Sequence, residues 1–280
     1  MKTKLILITL ATVFLTSCGT SPQDSRPPNI ILFFVDDLGY GDLGCFGQQL
    51  IRTPRLDRMA GEGIRMTSFY TASPVCAPSR CSLLTGKHGG HAQIRHNMNL
   101  TEGGQLPLPD KELTMAELLQ KAGYTTSAIG KWSLGTPGNE GNPMKQGFDH
   151  FFGYYCQCMA HNYYPELVWR NRDPVKLSNK TVPVQVNWAD FPLSYATEKV
   201  ENSALLALEE ALVFIENNRE APFFLYYAST LPHSNGEAPP DERFEVPGWG
   251  IYTDSLWTPV DKGYASMVSL IDSQMASILD

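Results

Sequence analysis

The segment Asn29–Val35 is an almost uninterrupted apolar run, bounded by Pro28 before it and by Asp36 and Asp37 after it. A short apolar run between such boundaries predicts a β-strand that is buried on both faces. Strands of this kind are typical of parallel sheets, because helices cover both sides of those sheets. This single feature therefore favours a fold built around a parallel sheet.

Helical and strand patterns alternate along the rest of the chain. One long predicted helix, Asn202–Asn218, has an apolar side at helical spacing and precedes the apolar strand Pro222–Ala228. This alternation predicts an α/β fold with a mostly parallel central sheet flanked by helices. Two long segments, Leu134–Phe148 and Tyr154–Val184, are predicted to be loops that cover the functional site. The other predicted elements are the strand Tyr124–Ile129 and the helices Pro54–Gly61 (with Thr53 as N-cap), Thr114–Ala122 and Asp261 to the end.

Polar side chains lie just past the ends of three predicted strands. Asp36 and Asp37 come after the first strand, Lys131 after the second and His233 after the third. In open α/β sheets, ligands gather at the carboxyl ends of the strands. The sequence therefore predicts that these four residues share one site.

The overall charge limits the kinds of partner that this chain can bind. The 280 residues include 22 Lys and Arg against 29 Asp and Glu, which gives a net charge of −7. This balance argues against nucleic acid or a general polyanion as a partner. An anionic small substrate would need a local basic pocket on an acidic surface.

The first 28 residues indicate export. Lys2 and Lys4 precede an apolar run that is too short to span a bilayer, so residues 1–18 are predicted to be a signal peptide. Leu15-Thr-Ser-Cys18 resembles a bacterial lipobox, which implies lipidation of Cys18 and anchoring in the bacterial envelope, in the periplasm or on the outer membrane or cell surface. The alternative is an ordinary secretory signal. Residues 19–28 are predicted to be a tether, and residues 29–280 a catalytic domain.

Four cysteines remain if Cys18 and Cys76 are modified: Cys45, Cys81, Cys156 and Cys158. An exported chain can pair such cysteines, but the sequence does not give their connectivity. Cys156-Gln-Cys158 lacks further thiols at metal-binding spacing. The pair is therefore interpreted as two loop or core thiols.

The run Cys76-Ala-Pro-Ser-Arg80, closed by Leu84-Thr-Gly86, carries the clearest chemical signal. Proline is favoured in the first turn of a helix, so a helix is expected to start beside Cys76. The N-terminus of a helix favours anions and activated nucleophiles, since its free N–H groups and dipole are positive. The run therefore predicts a nucleophile at an anion site, with Arg80 one turn away.

This run matches the signature of type I sulfatases, whose fold is similar to that of alkaline phosphatase, and the chain is identified as a member of that family. The resemblance implies that a maturation enzyme oxidises Cys76 to formylglycine, which attacks a sulfate ester. It also implies that Arg80 stabilises the modified residue and that Ca²⁺, or Mg²⁺, is bound by Asp36, Asp37 and Cys76. The implied substrate is a sulfated carbohydrate or an aryl sulfate.

Further residues match the family only in part. Gly130-Lys-Trp-Ser-Leu-Gly135 resembles Gly-Lys-Trp-His-Leu-Gly, which assigns Lys131 to sulfate binding but places Ser133 where the family has histidine. His233 in Leu-Pro-His resembles the histidine that protonates the leaving alcohol. The family's later Asp-Asn calcium ligands have no match. The chain is therefore expected to lack the C-terminal part of the domain and to bind calcium weakly.

Substrate contacts are predicted with less support. Lys87 to His96 is inclined to positive charge, and within it His91 and Arg95 are candidates for binding a sulfated sugar, although a solvated loop is the alternative. His161-Asn-Tyr-Tyr164 has the amide, imidazole and aromatic groups of a carbohydrate subsite. Two alternative functions stay open: a phosphatase or phosphonate ester hydrolase of the same fold, and an inactive sulfoglycan-binding relative.

Overall fold

A computed structural model describes residues 26–100 and 104–280, so the predicted leader and Cys18 lie outside the described residues. Its central sheet has six strands in the order β1-β10-β4-β5-β6-β7. The first four strands of that order are mutually parallel, while β6 and β7 are antiparallel. These strands are β1 (Ile30–Asp36), β4 (Thr125–Lys131), β5 (His150–Tyr154), β6 (Leu167–Arg170), β7 (Asp173–Lys176) and β10 (Phe223–Pro232).

Short hairpins and five α-helices complete the described fold. The pair β2 (Asn99–Leu100) and β3 (Gly104–Gln105) and the pair β8 (Lys180–Val184) and β9 (Leu193–Glu198) are both antiparallel. The predicted mostly parallel α/β fold is thus confirmed, and no helix of the described residues is long and apolar enough to cross a membrane. The helices are α1 (Pro54–Glu62), α2 (Cys76–Thr85), α3 (Met115–Lys121), α4 (Ser203–Asn218) and α5 (Pro259–Leu279).

Helices cover both faces of the central strand β10, every residue of which is buried. Its alternate side chains Phe224 and Tyr226 pack in one core cluster with residues of α2 and α3. Leu225 and Tyr227 point the other way and pack in a second cluster with residues of α4 and α5. A strand buried on both faces has no polar face, which explains why its sequence is a continuous apolar run.

Gly130 allows β4 to lie close to β10 just before the site. Its φ of +110° belongs to the region that favours glycine, and a Cβ atom built there would lie 2.0 Å from the carbonyl oxygen of Ala228. This backbone approach carries Lys131 to the end of the strand.

One predicted loop is wrong. Tyr154–Val184 contains strands β6, β7 and β8. The segment runs antiparallel at the sheet edge, where β6 pairs with both β5 and β7. Its strands are short and partly exposed, so they lack the long apolar runs that identified the central strands.

The start of α1 is capped from a distant helix rather than by Thr53. Thr53 is at the N-cap position, but its hydroxyl accepts a hydrogen bond from the N–H of Gly44 and donates one to Asp57. The buried carboxylate of Asp272 in α5 instead accepts the N–H groups of Arg55 (3.2 Å) and Leu56 (2.8 Å). Asp272 therefore satisfies two N–H groups that the first turn of a helix leaves free.

We expect Asp272→Ala to lower the free energy of unfolding by about 1–2 kcal/mol, because it removes this cap. Urea denaturation followed by circular dichroism measures the change. Asp272→Asn keeps one acceptor oxygen and should recover part of the loss. Equal stability of Asp272→Ala and the unmodified protein would contradict the capping role.

The carboxylate of Glu210 in α4 contacts Arg170 and His150 at the sheet edge. It lies 2.6 Å from Arg170 Nη2 and 2.9 Å from His150 Nε2. Burial alone would raise the pKa of Glu210, but these two partners lower it from 4.5 to about 2. The folded state thus binds the proton less tightly than the unfolded state, and the stabilisation is present above pH 4.5 and lost as the pH falls towards 2.

Glu210→Gln is therefore expected to lower the free energy of unfolding by roughly 1 kcal/mol at pH 7, with a difference that shrinks below pH ~4.5. Urea denaturation of both proteins between pH 7 and pH ~2.5 measures this. Glu209→Gln, at an exposed neighbouring position, is the matched control and should change little. A difference that stays constant with pH would show that the charge of Glu210 does not matter.

Candidate active site

Three parallel strands deliver the predicted polar residues to one edge of the sheet. Asp36 is the last residue of β1, Lys131 is the last residue of β4, and His233 directly follows β10. Because β10 lies between β1 and β4, these residues meet at neighbouring strand ends. The structure therefore brings them together as the sequence predicts.

Cys76 lies at the first residue of α2, and Pro78 lies within the same first turn. The N–H of Ala77 donates to Oδ1 of Asn97, so one of the free N–H groups at this helix start is already satisfied. Cys76 is half-buried, and its Sγ lies 3.1 Å from Nζ of Lys131. The thiol thus faces both a helix N-terminus and an ammonium group, an arrangement that suits an anionic ligand.

Lys131 connects Cys76 to the buried carboxylate of Asp36. Its Nζ lies 2.6 Å from Asp36 Oδ2, and both side chains are almost fully buried. Burial alone would raise the pKa of Asp36, but Lys131, Arg80 and His233 hold it well below its usual range. Burial likewise opposes the charge on Lys131, but Asp36 and Cys76 outweigh it and raise its pKa. Both groups therefore stay charged at neutral pH.

Arg80 forms the floor of this cluster and is completely buried. Its Nη1 donates to the carbonyl oxygen of Lys131 at 2.5 Å, and its Nη2 lies 3.5 Å from Asp36 Oδ1. The guanidinium also lies over the ring of Phe34, 5.3 Å from the centroid, and near the hydroxyl of Tyr226. These contacts fix a second cation beneath the pocket in one orientation.

His233 presents one nitrogen to the site. Its Nδ1 lies 2.8 Å from the carbonyl oxygen of Ser234, and because that oxygen only accepts, Nδ1 carries a proton. Nε2 faces Asp37, 3.4 Å from Oδ2. Burial, Lys131 and the neighbouring His161 lower the pKa of His233. A histidine whose pKa is lowered gives up its proton more readily to a leaving group.

His161 supports His233 from behind. The two rings stack with centroids 4.4 Å apart and planes 16° apart. The Nδ1 of His161 lies 3.2 Å from the buried carboxylate of Glu237. His161, predicted to bind substrate, therefore contacts His233 in the described structure.

Asp37 and Ser133 both adopt positive φ angles just past strand ends, of 62° and 68°. The side chain of Asp37 is 62% exposed and reaches the pocket mouth. Ser133 is fully buried, and its N–H donates to the carbonyl oxygen of Tyr155. Its Oγ has no hydrogen-bond partner in the described part of the chain.

An open pocket of about 170 Å³ lies above these residues. It is lined by strand-end residues, the start of α2 and the segment before α2. Cys76 is thus reached from solvent beside the two aspartates. The lining residues are Phe34, Val35, Asp36, Asp37, Leu38, Thr71, Ser73, Pro74, Val75, Cys76, Ser79 and Arg80.

Four possible metal-ligating residues lie together at the pocket. Ligand atoms of Asp36, Cys76 and His233 all lie within 4.8 Å of one another, and Asp37 contacts His233. An ionised carboxylate has about four acceptor positions, so Asp36 keeps lone pairs for a cation beside Lys131 and Arg80. Ca²⁺ and Mg²⁺ prefer oxygen ligands, which favours Asp36 and Asp37 over the imidazole of His233.

Two predicted substrate residues lie apart from this cluster. His91 and Arg95 are exposed in the segment after α2. Their hydrogen bonds are local: the N–H of His91 donates to His88, and Nε of Arg95 donates to Ala92. Contact between these two residues and a substrate stays a prediction.

Sequence reasoning missed the residues that position the site. Tyr163, assigned to an open carbohydrate subsite, is instead fully buried, and its hydroxyl contacts the carbonyl oxygens of Thr230 and His233. The hydroxyl of Tyr163 is thus bonded within the fold, so this residue holds the backbone beside His233 rather than presenting its hydroxyl to a sugar. Glu237 and Tyr226 gave no local sequence signal, because their partners are distant in the chain.

The mostly parallel sheet, with a charged cluster at its neighbouring strand ends, has the alkaline phosphatase-like fold. The sulfatase family model matches residues 28–280. The chain therefore belongs to the sulfatase family.

Individual relatives agree with this assignment. The chain is 37% identical over 249 residues to N-acetylgalactosamine-6-sulfatase of Rattus norvegicus, covering 82% of this chain and 44% of that protein. It is 39% identical over 224 residues to arylsulfatase G of Rattus norvegicus, covering 74% and 41%. The crystal structure of Ps i-CgsB in complex with k-i-k-neocarrahexaose matches with a TM-score of 0.70 and 26% identity, covering 91% and 54%. The chain thus spans about half the length of these relatives or less.

Proposed function

We propose that this protein hydrolyses sulfate esters, with Cys76, once oxidised to formylglycine, as the source of the nucleophile. The observation that carries this proposal is the position of Cys76 Sγ, 3.1 Å from the buried ammonium of Lys131, which in turn binds Asp36. Oxidation of Cys76 would supply an aldehyde whose hydrate offers an oxygen nucleophile to sulfur. A dedicated maturation enzyme is therefore a proposed partner.

Lys131 and Arg80 provide fixed positive charge where a sulfate group would bind. The two cations outnumber the single buried carboxylate of Asp36, so the floor of the pocket carries a net positive charge at neutral pH. Fixed charges in a site shielded from water stabilise negative charge in the transition state at little reorganisation cost. A chain whose net charge is negative can therefore bind an anionic substrate at this one positively charged pocket.

Asp36 and Asp37 are the residues that would hold Ca²⁺, or Mg²⁺, next to Cys76. When bound, the ion acts as a Lewis acid on a sulfate oxygen. Asp36 is suited to this, because its pKa, held well below the usual range, keeps it ionised. Two carboxylates alone form a weak site, since Ca²⁺ takes six to eight oxygen ligands.

His233 is the proposed general acid. Its Nδ1 proton is held by Ser234, so Nε2 is the atom that would deliver a proton to the leaving alcohol. The hydroxyl of Tyr163 contacts the backbone oxygen of His233 and keeps it in place. Such positioned acid catalysis contributes about 10²–10⁴-fold.

The proposed substrate is a sulfated carbohydrate, with a simple aryl sulfate as the assay substrate. Support comes from the names of the relatives, which include N-acetylgalactosamine-6-sulfatase and a structure in complex with k-i-k-neocarrahexaose. Ser133, His91, Arg95 and His161 are the proposed substrate contacts outside the charged cluster. Lipidation of Cys18 would anchor the protein in the bacterial envelope.

The test compares turnover of an aryl sulfate, an aryl phosphate and an aryl phosphonate by the full-length protein, co-expressed with a formylglycine-generating enzyme. A sulfatase releases sulfate fastest, and Cys76→Ala abolishes that release. Faster release of phosphate or phosphonate would favour the related hydrolases. Binding of sulfated glycans without turnover would favour an inactive relative, for which the buried Ser133 is the supporting observation.

A further inference from the structure

A second pair of thiols lies close to the active site but takes no part in the proposed reaction. Cys156 and Cys158 occupy the turn between β5 and a 3-10 helix at Met159–His161. Both are buried, with 2% and 6% exposure, and a hydrogen bond joins their side chains. The turn is compact. The carbonyl oxygen of Cys156 accepts the N–H of Ala160, and that of Cys158 accepts the N–H of His161.

The surroundings of the two thiols are asymmetric. Cys156 accepts hydrogen bonds from the Cys158 thiol and from backbone N–H groups of Cys158 and Met159, and Lys131 adds a positive charge. The Cys158 thiol outweighs the effect of burial and lowers the pKa of Cys156 to about 7. The same hydrogen bond, with burial, raises the pKa of Cys158. Cys156 is thus the more acidic thiol of the pair, and Cys158 donates a hydrogen bond to it.

Cys156, unlike Cys158, lines a cavity beside β6. A pocket of about 260 Å³ lies between β6 and the β8–β9 hairpin, and Cys156 forms part of its wall. Aromatic side chains, among them Tyr155 and Trp169, line the same cavity. A small disulfide or other soft electrophile therefore has a route to Cys156 that does not pass through the active-site pocket.

Two other cysteines of the described residues, Cys45 and Cys81, have the opposite character. Burial raises the pKa of Cys81, which is completely buried in α2. Burial and the nearby carboxylate of Asp57 raise the pKa of Cys45. None of the described groups that interact most strongly with Cys45 or Cys81 is a thiol, so neither cysteine is positioned to form a disulfide.

We propose that Cys156 and Cys158 are a redox-active dithiol that a small external disulfide oxidises to an intrachain disulfide. The Cys156 thiolate attacks one sulfur of the reagent, releases one thiol and forms a mixed disulfide. Cys158 then loses its proton and attacks the Cys156 sulfur, which releases the second thiol. Two cysteine thiols and one external disulfide thus become one protein disulfide and two external thiols.

The disulfide would form next to the active site. The preceding residues Tyr154 and Tyr155 accept the N–H groups of Trp132 and Ser133, which directly follow Lys131. A disulfide would constrain this turn. The two residues that precede the turn are hydrogen-bonded to the segment that follows Lys131, so the constraint would reach that segment. The site would report the redox state of the surroundings beside the catalytic cluster.

The test treats the reduced full-length protein with oxidised glutathione, blocks remaining thiols with iodoacetamide and analyses tryptic peptides by mass spectrometry. Cys156 and Cys158 share the peptide Gln146–Arg170, whereas Cys76 and Cys81 lie on separate peptides. We expect the shared peptide to lose about 2 Da and both alkylation sites, at least about tenfold faster than Cys81 reacts. This readout does not depend on catalytic activity, so it succeeds or fails separately from the proposed function.

Two variants test the order of events. Cys158→Ser lacks the second thiol and should accumulate a glutathione adduct at Cys156, whereas Cys156→Ser should leave Cys158 unmodified. Circular dichroism checks that both variants fold. The proposal is overturned if both thiols stay alkylatable while Cys81 or Cys45 reacts, or if Cys158 is the residue that carries the adduct.

Discussion

Replacing Lys131 with alanine is expected to reduce kcat for an aryl sulfate by about 10²–10³-fold. The reason is geometric: Nζ of Lys131 lies 2.6 Å from Asp36 and 3.1 Å from Cys76, and no other lysine contacts these two residues in the described part of the chain. Removing the Lys131 ammonium takes away one of the two fixed cations beside Asp36, and Arg80 is the one that remains. The measurement is steady-state kinetics on protein with converted Cys76.

Two controls separate chemistry from stability. Lys180→Ala removes an exposed lysine that pairs with Glu198 and should leave kcat unchanged. Lys131→Arg keeps the charge but not the compact ammonium, so it should recover only part of the lost rate. If Lys131→Ala retained full activity in a folded protein, the charged cluster would not be the site of sulfate hydrolysis.

Replacing Arg80 with methionine is expected to lower the free energy of unfolding by about 3–5 kcal/mol. Arg80 is completely buried, donates to the carbonyl oxygen of Lys131 and faces Asp36. The substitution leaves that carbonyl without its donor and removes one of the charges that compensate Asp36. Breaking such a buried group of charges is costly, because the remaining partners are not returned to water. Urea denaturation measures the loss.

A double-mutant cycle tests the physical reason. Asp36→Asn combined with Arg80→Met removes both charges, so the combined loss should be smaller than the sum of the two single losses. Arg58→Met, at an exposed position, is the matched control and should leave the denaturation midpoint unchanged. Strictly additive losses would show that Arg80 and Asp36 act independently.

The core of the site was predictable because each part has a local signal. The apolar run before Asp36 identifies a buried strand, and the polar residue after each such strand falls at the sheet edge that binds ligands. The same reasoning predicts the positions of Lys131 and His233. Their strands lie close to β1 in the sheet, because β10 is next to β1 and β4 is next to β10. The helix start at Cys76 followed from Pro78.

The rest of the structure depends on contacts between distant residues, which no local pattern encodes. Asp272 caps a helix that begins more than 200 residues earlier. It accepts the N–H groups of Leu56 and Arg55, which lie 216 and 217 positions before it in the chain. Glu237 is paired with His161 across 76 positions. The last two strands of the sheet, β6 and β7, gain their regular structure from pairing rather than from an apolar run. Tertiary structure alone shows that Tyr163 is closed off from solvent.

The central claim is that Cys76 is the precursor of the catalytic nucleophile. The most direct measurement is the mass of the tryptic peptide Met66–Arg80, which contains Cys76 and no other cysteine, after co-expression with a formylglycine-generating enzyme. Conversion to formylglycine should lower that mass by about 18 Da, with Cys76→Ser as the unconverted control in the same host. A peptide that keeps the mass of unmodified cysteine, in a host that converts another sulfatase, would contradict the account.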